Sequence, residues 1–134
     1  MSETERLIRA YYEAFNAGAK AAFLALLSED VVHDINQGGR EVGRAAFDAF
    51  FDLMSRSYRE RLEELVVMVD ATGARAAAEF VVHGEYLASQ DGLPAAQGQR
   101  YVLPAGAFFE VRDGKVARIS NYYNLQDWLR QVGS

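Results

Sequence analysis

The stretch Tyr101–Asn124, YVLPAGAFFEVRDGKVARISNYYN, decides the fold. Asp113-Gly114 is a strong two-residue hairpin signal, because such turns need backbone conformations that Asp, Asn and Gly adopt readily. It predicts two antiparallel strands, Tyr101–Arg112 and Lys115–Tyr123. Side chains alternate across a strand, so Tyr101, Leu103, Ala105, Ala107 and Phe109 share one face, and Val102, Pro104, Gly106, Phe108 and Glu110 the other. Both faces are largely apolar, unlike those of a sheet with one side in water. One face is expected to meet helices and the other a second subunit. Ala105 and Ala107 leave room on the helix side, and a gap lined by apolar groups with a few polar ones is the usual make-up of a ligand site. A fully packed core without a cavity fits the alternation equally well.

Working outward, helical spacing dominates the first half. Ser2 and Glu5 have capping-box spacing, Leu7, Ile8, Tyr11 and Phe15 recur at helical intervals, and Gly18 is a stop signal. A short second helix follows through Ala21–Leu26. Val31–Asn36 reads as a strand broken by Gly38-Gly39, and a third helix runs from about Arg44 to Tyr58 with the stripe Phe47, Phe50, Phe51 and Met54. Leu65–Val69 and Arg75–Leu87 are β-prone on either side of the turn Asp70-Ala71-Thr72-Gly73, and Ser89–Gly98 is a loop. Leu125–Val132 is helical, with Asn124 placed to cap it and Trp128 placed to seal the open end of the sheet. Helices segregated from an antiparallel sheet define the α+β class.

The chain has 134 residues, the size of one domain. Its net charge of −5 and the lack of any basic stripe argue against nucleic acid and anionic membrane as partners. There are no cysteines, which excludes disulfides, zinc thiolates and thiol nucleophiles. The start of the chain is acidic where a signal peptide is basic, and no apolar run approaches the ~20 residues that span a bilayer. A cytoplasmic location is the default expectation.

The elements, in this order, resemble the nuclear transport factor 2-like superfamily of cone-shaped folds, and within it the SnoaL-like and ketosteroid isomerase-related proteins. The resemblance covers nearly the whole chain. It is carried by Arg9–Asn16, by Val32-His33-Asp34, by Gly43-Arg44, by Phe108–Lys115 and by Asn121-Tyr122-Tyr123-Asn124. It implies a curved, antiparallel or mixed sheet wrapped around three N-terminal helices, with a short C-terminal helix. In ketosteroid isomerases a first-helix tyrosine donates to the substrate oxyanion and an aspartate is the general base. Tyr11 and Asp34 match those places, and Ala107 stands where the family has a protonated aspartate.

Asp34 is therefore the expected base. Facing the cone, it would be desolvated and its pKa raised toward proton transfer; the other reading has it capping the Gly38-Gly39 loop. Tyr11 is either its companion or a core residue with a hydrogen-bonded hydroxyl. Asn121 and Tyr123 share a strand face and are expected to polarise an oxygen. Asn36, Phe47, Phe50, Phe51, Phe80, Tyr86, Tyr101, Leu103, Ala107 and Trp128 are expected to line the pocket. His33 and His83 are expected on the opposite faces, and with Glu85 they match no metal motif. The expected activity is cofactor-independent, metal-free acid/base chemistry of an isomerase, cyclase or hydrolase type on a small apolar carbonyl compound. A non-catalytic binder and a dimeric interaction domain using the outer sheet face are the alternatives.

Overall fold

A computed structural model describes residues 1–133. α1 (Glu3–Ala17) begins where the Ser2 hydroxyl accepts the Glu5 N–H at 3.1 Å and ends at Gly18, whose φ of 66° closes the helix in the left-handed region. α2 (Lys20–Ala25) turns back against it. β1 (Leu27–Asp34), β2 (Arg40–Val42), α3 (Arg44–Ser57), β3 (Tyr58–Val69), β4 (Arg75–Tyr86), β5 (Arg100–Arg112), β6 (Lys115–Tyr123) and α4 (Leu125–Val132) follow.

The six strands form one curved, unclosed sheet in the order β2-β1-β6-β5-β4-β3. Every pairing is antiparallel except β1 with β6, which is parallel. The three N-terminal helices lie in the concavity. Alternation is clean along β4, where Ala76, Ala78, Phe80, Val82, Gly84 and Tyr86 are buried toward the helices. On β5 the inward set Tyr101, Leu103, Ala107 and Phe109 is buried, while Val102 and Phe108 are exposed on the convex side. Tyr11, Tyr12, Phe23 and Phe109 meet ring against ring at the centre of the core. Aromatic pairs of this kind add about 0.5–1.5 kcal/mol each beyond the area they bury.

Three features differ from the expected elements. β3 starts at Tyr58, seven residues before the apolar run that announced it, because its first half alternates charged with inward-facing residues. β1 starts at Leu27 and pairs in parallel with β6, across an irregularity between Leu27 and Val32. The short β2 carries too few residues to leave a periodic pattern.

β3 bends between Glu63 and Val66, where Glu64 takes a φ of 56°. A bulge there adds twist and curvature. Asn16 on α1 holds the strand just before the bend: its Oδ1 accepts the Leu62 N–H at 2.8 Å and its Nδ2 donates to the Leu62 carbonyl at 2.9 Å. Replacing Asn16 with Ala strands both backbone groups, and an unsatisfied group costs about 1–3 kcal/mol. Asn16→Ala is expected to lower the unfolding free energy by about that amount in urea titrations, with amide exchange rising first around Leu62.

Candidate active site on the concave wall

The β5–β6 pairing sets Ala107 opposite Asn121 and Ala105 opposite Tyr123 on the inner face. The parallel pairing of β1 sets His33 beside Ile119, so the imidazole also points inward. It is 2% exposed and stacks on Phe47 with 4.4 Å between ring centres, and Phe50 meets it edge-on at 4.7 Å. The Asn121 amide nitrogen lies 3.5 Å from His33 Nε2, while Nδ1 is buried without a partner. Burial among these rings pulls the His33 pKa from 6.5 down to about 4, against the opposing pull of Asp34, so the imidazole is neutral at physiological pH.

Asp34, one residue on, points the other way. On the convex face its carboxylate accepts two hydrogen bonds from Arg40, at 2.6 and 3.2 Å, and one from the Ser120 hydroxyl at 2.6 Å. Arg118 stands 3.5 Å away and also pairs with Glu110. The Arg40 and Ser120 hydrogen bonds hold the Asp34 pKa well below the usual carboxylate range, the reverse of the rise expected of a base in an apolar cone. A strand period of two turns a one-residue difference into a change of face. Asp34 and His33 have therefore exchanged the sides expected of them. His83 does lie on the outer face, where Nε2 sits 3.0 Å from Glu63.

Tyr11 is 4% exposed and packed on Tyr12, Phe23 and Phe109, with no contact to Asp34; burial raises its pKa. Asn121 and Tyr123 face inward together. Asn36 ties the loop after β1 to β6, bridging the Tyr123 main-chain N–H and carbonyl at 3.4 Å each. Among the expected lining residues, Phe47 and Phe50 flank His33, Phe51 packs on Phe15 and Phe23, Phe80 packs on Tyr12, and Leu103 is buried. Trp128 closes on Tyr58, Tyr86 and Tyr101 at 5.1–6.2 Å, which seals that end of the sheet.

A second carboxylate, outside the sequence expectations, completes the wall. Glu60 on β3, Gly84 on β4 and Tyr101 on β5 are lateral neighbours. Gly84 has no side chain, and a Cβ there would stand 2.3 Å from the Tyr101 ring. The ring lies across β4 through this gap and donates its hydroxyl to Glu60 Oε2 at 2.5 Å. Burial raises the Glu60 pKa and the Tyr101 hydrogen bond partly offsets it. Tyr58 and Tyr123 lie close enough for the Glu60 charge to add to the rise that burial gives their own pKa values. The sequence signal was the alternation Tyr58, Glu60, Leu62, obscured by the flanking arginines.

Phe50, Tyr58, Glu60 and Asn121 remain partly accessible although they face inward, and Tyr123 is 39% exposed. These residues belong to α3, the start of β3 and β6. Two recesses lie elsewhere: about 610 Å³ on the convex face beside Met68, Arg75, Phe108, Arg118 and Tyr122, and about 550 Å³ between α1 and β3. Among the described residues no three metal-ligating side chains are gathered, and no helix is long and apolar enough to cross a membrane.

Residues 8–119 match the model of the SnoaL-like domain. The chain belongs to the SnoaL-like family. A protein of Pseudomonas putida described as a "putative polyketide cyclase" is 65% identical over 98% of both chains, with a TM-score of 0.95. Proteins described in the same words from Xanthomonas campestris (56% identity, 96% of both chains, TM-score 0.93) and from a Silicibacter species (47%, 98% and 96%, TM-score 0.96) are similarly close. An LEH-like epoxide hydrolase of M. tuberculosis, 18% identical over 97% of this chain and 84% of its own with a TM-score of 0.77, shares the fold alone. No match is found among curated proteins. The SnoaL-like chain thus has the cone-shaped nuclear transport factor 2-like fold expected of it.

His33 makes the fold acid-sensitive in a defined window. Its pKa is lowered on folding, so the unfolded chain binds more protons between about 4 and 6.5 and stability falls as pH drops through that interval. The contribution is fully present above 6.5 and is on the order of 3 kcal/mol. Asp34, also lowered, loses its contribution only below the ordinary carboxylate value of 3.8, so the windows are separate. Urea midpoints measured from pH 7 to pH 4 are expected to fall steeply in the wild type and much less in His33→Gln.

Proposed function

We propose that this SnoaL-like protein is an enzyme of the cyclase or isomerase type, performing acid/base chemistry on a small, apolar, carbonyl-containing molecule at the concave wall. The observation that carries the reading is the accessible, inward-facing polar set around Asn121 and Tyr123, standing opposite Ala105 and Ala107 and walled by aromatic rings. The names of the three full-length relatives favour a polyketide-like substrate.

Closing a ring on such a chain requires removal of a proton from the carbon beside one carbonyl and polarisation of the carbonyl attacked. The wall has groups suited to the second task. The Tyr123 hydroxyl, its pKa raised chiefly by burial, stays protonated and able to donate. The Asn121 amide is held by the loose contact with His33 and is free to turn toward an oxygen. The neutral imidazole offers a donor or an acceptor without bringing charge into an apolar space. The surrounding rings bind the apolar body of the ligand and strengthen every polar contact by excluding water.

The experiment is a titration with 1-tetralone, an aromatic ketone, followed by NMR. The His33 ring and the Asn121 and Tyr123 signals are expected to shift while Ser120 and Arg118 stay still. Asn121→Ala is expected to weaken binding by about fivefold, the worth of roughly one hydrogen bond. Shifts confined to the convex face count against the reading.

The convex face favours a second, compatible reading, that of a homodimer. Val66, Met68, Val102, Phe108 and Tyr122 are each about half exposed, and Phe108 and Tyr122 stack edge-on beside the convex recess. Exposed apolar area of this kind marks an interaction surface, and a self-complementary patch makes a two-fold dimer. Sedimentation is expected to give a dimer at micromolar concentration and a monomer for Phe108→Asp; a monomeric wild type removes the reading.

A further inference from the structure

The polar groups that suit carbonyl polarisation leave the proton acceptor unassigned, and two carboxylates compete for it. Asp34 is occupied: two of its hydrogen bonds come from Arg40, a third comes from Ser120, and Arg118 stands behind. A carboxylate so stabilised is a poor base, and it lies on the convex face. Glu60 has the opposite arrangement. Its Oε2 is anchored by one neutral donor, Tyr101, while Oε1 has no hydrogen-bond partner among the described residues. It faces the concavity, is partly accessible, and is flanked by Tyr58 and Tyr123.

The construction around it is specific. A tyrosine on β5 reaches a glutamate on β3 only by crossing β4, and the crossing requires Gly84 at the one lateral position between them. Trp128 packs edge-on against the same Tyr101 ring at 6.0 Å and limits its motion. Every part of this assembly fixes the direction of one carboxylate. An inward-facing acid among aromatic rings would be better replaced by an apolar residue if packing were its sole task.

We propose that Glu60 is the catalytic proton-transfer group of this site, positioned by Tyr101 across Gly84, and that its substrates are ketones with a C–H bond beside the carbonyl, such as polyketide-like chains. The proposal rests on the acid/base reading of the concave wall and names the group that carries it. In the step, Oε1 of the carboxylate takes the α-proton. The C–H bond breaks, and its electron pair passes through carbon to the carbonyl oxygen, forming an enolate. In a cyclisation the enolate carbon then bonds to a second carbonyl carbon, whose oxygen recovers the proton from Glu60. Without a second carbonyl, a proton from the carboxyl returns to carbon, and in heavy water that proton is a deuteron.

The last case supplies the assay. Wild-type protein in D₂O is expected to exchange the α-methylene protons of 1-tetralone, read by proton NMR. Glu60→Gln keeps an oxygen for Tyr101 and is expected to lose exchange by 10²-fold or more, the usual worth of a general base. Asp34→Asn is expected to stay near the wild-type rate. Tyr101→Phe removes the hydrogen bond that lowers the Glu60 pKa, so the acid limb of its rate–pH profile is expected to move to higher pH. Gly84→Ala, which displaces the ring, is expected to move it the same way. Carbon-13 titration of the Glu60 carboxyl reports that displacement without turnover. Glu60→Asp, which retains the charge, guards against misreading an unfolded Gln variant and is expected to keep intermediate exchange. Full exchange in a folded Glu60→Gln overturns the proposal and leaves the acid/base reading standing; no exchange by the wild type in spite of binding overturns both.

Discussion

The register of the β5–β6 hairpin is the constraint on which the rest of this structure depends. Asp113-Gly114 makes one tight turn, an irregularity between Glu110 and Val111 shifts the pairing by one residue, and the register beyond it assigns the side chains of both strands to the concave or the convex face. Because β1 pairs with β6 beyond that shift, the same register decides that His33 enters the aromatic core while Asp34 meets arginines outside. Two adjacent residues thus acquire opposite electrostatics: a base that burial keeps neutral and an acid that cations keep ionised.

The concave wall illustrates how a small domain keeps polar groups in an apolar interior. Each is given a limited number of partners. Glu60 has one donor, His33 one loose neighbour, and Asn121 a contact it can exchange. More partners would make these groups inert, as Asp34 shows, and none would make them expensive to bury. Glycine and alanine at positions 84, 105 and 107 are the complement of that arrangement, since they mark where the sheet withholds bulk beside larger neighbours, Tyr101 over Gly84 and Tyr123 and Asn121 opposite Ala105 and Ala107.

Most of the architecture was legible because it rests on local chemistry. Ser2, Gly18, Asn124 and Asp113-Gly114 announce their boundaries by capping and turn geometry, and the long strands by alternation. The placement of β1 was harder. Val31, His33 and Ile35 alternate with Val32, Asp34 and Asn36, and each set mixes apolar with polar residues, so periodicity alone leaves the facing open; the family resemblance favoured the aspartate. The parallel pairing with a distant strand settled it the other way. Glu60 escaped notice for a related reason. Arg59, Arg61 and Glu63 gave the first half of β3 the composition of a solvated segment, although only the alternate positions face water. That a glycine on the neighbouring strand and a tyrosine two strands away hold the key to its environment is a matter of lateral register, which no local window contains.

The ion network on the convex face has one more consequence. Asp34 and Ser120 are 86 residues apart, and β1 joins the sheet on the β6 edge. Contacts of such separation carry a large loop-closure cost and belong to late stages of folding. Until they form, β6 is a bare edge with Val116 and Ile119 uncovered, a template for pairing with another chain. Arg118, which reaches toward both Glu110 and Asp34, places a charge on that edge beforehand and a clasp across it afterwards. The aspartate and its cations thus close one long-range seam of the sheet, a structural task that has no need of a substrate.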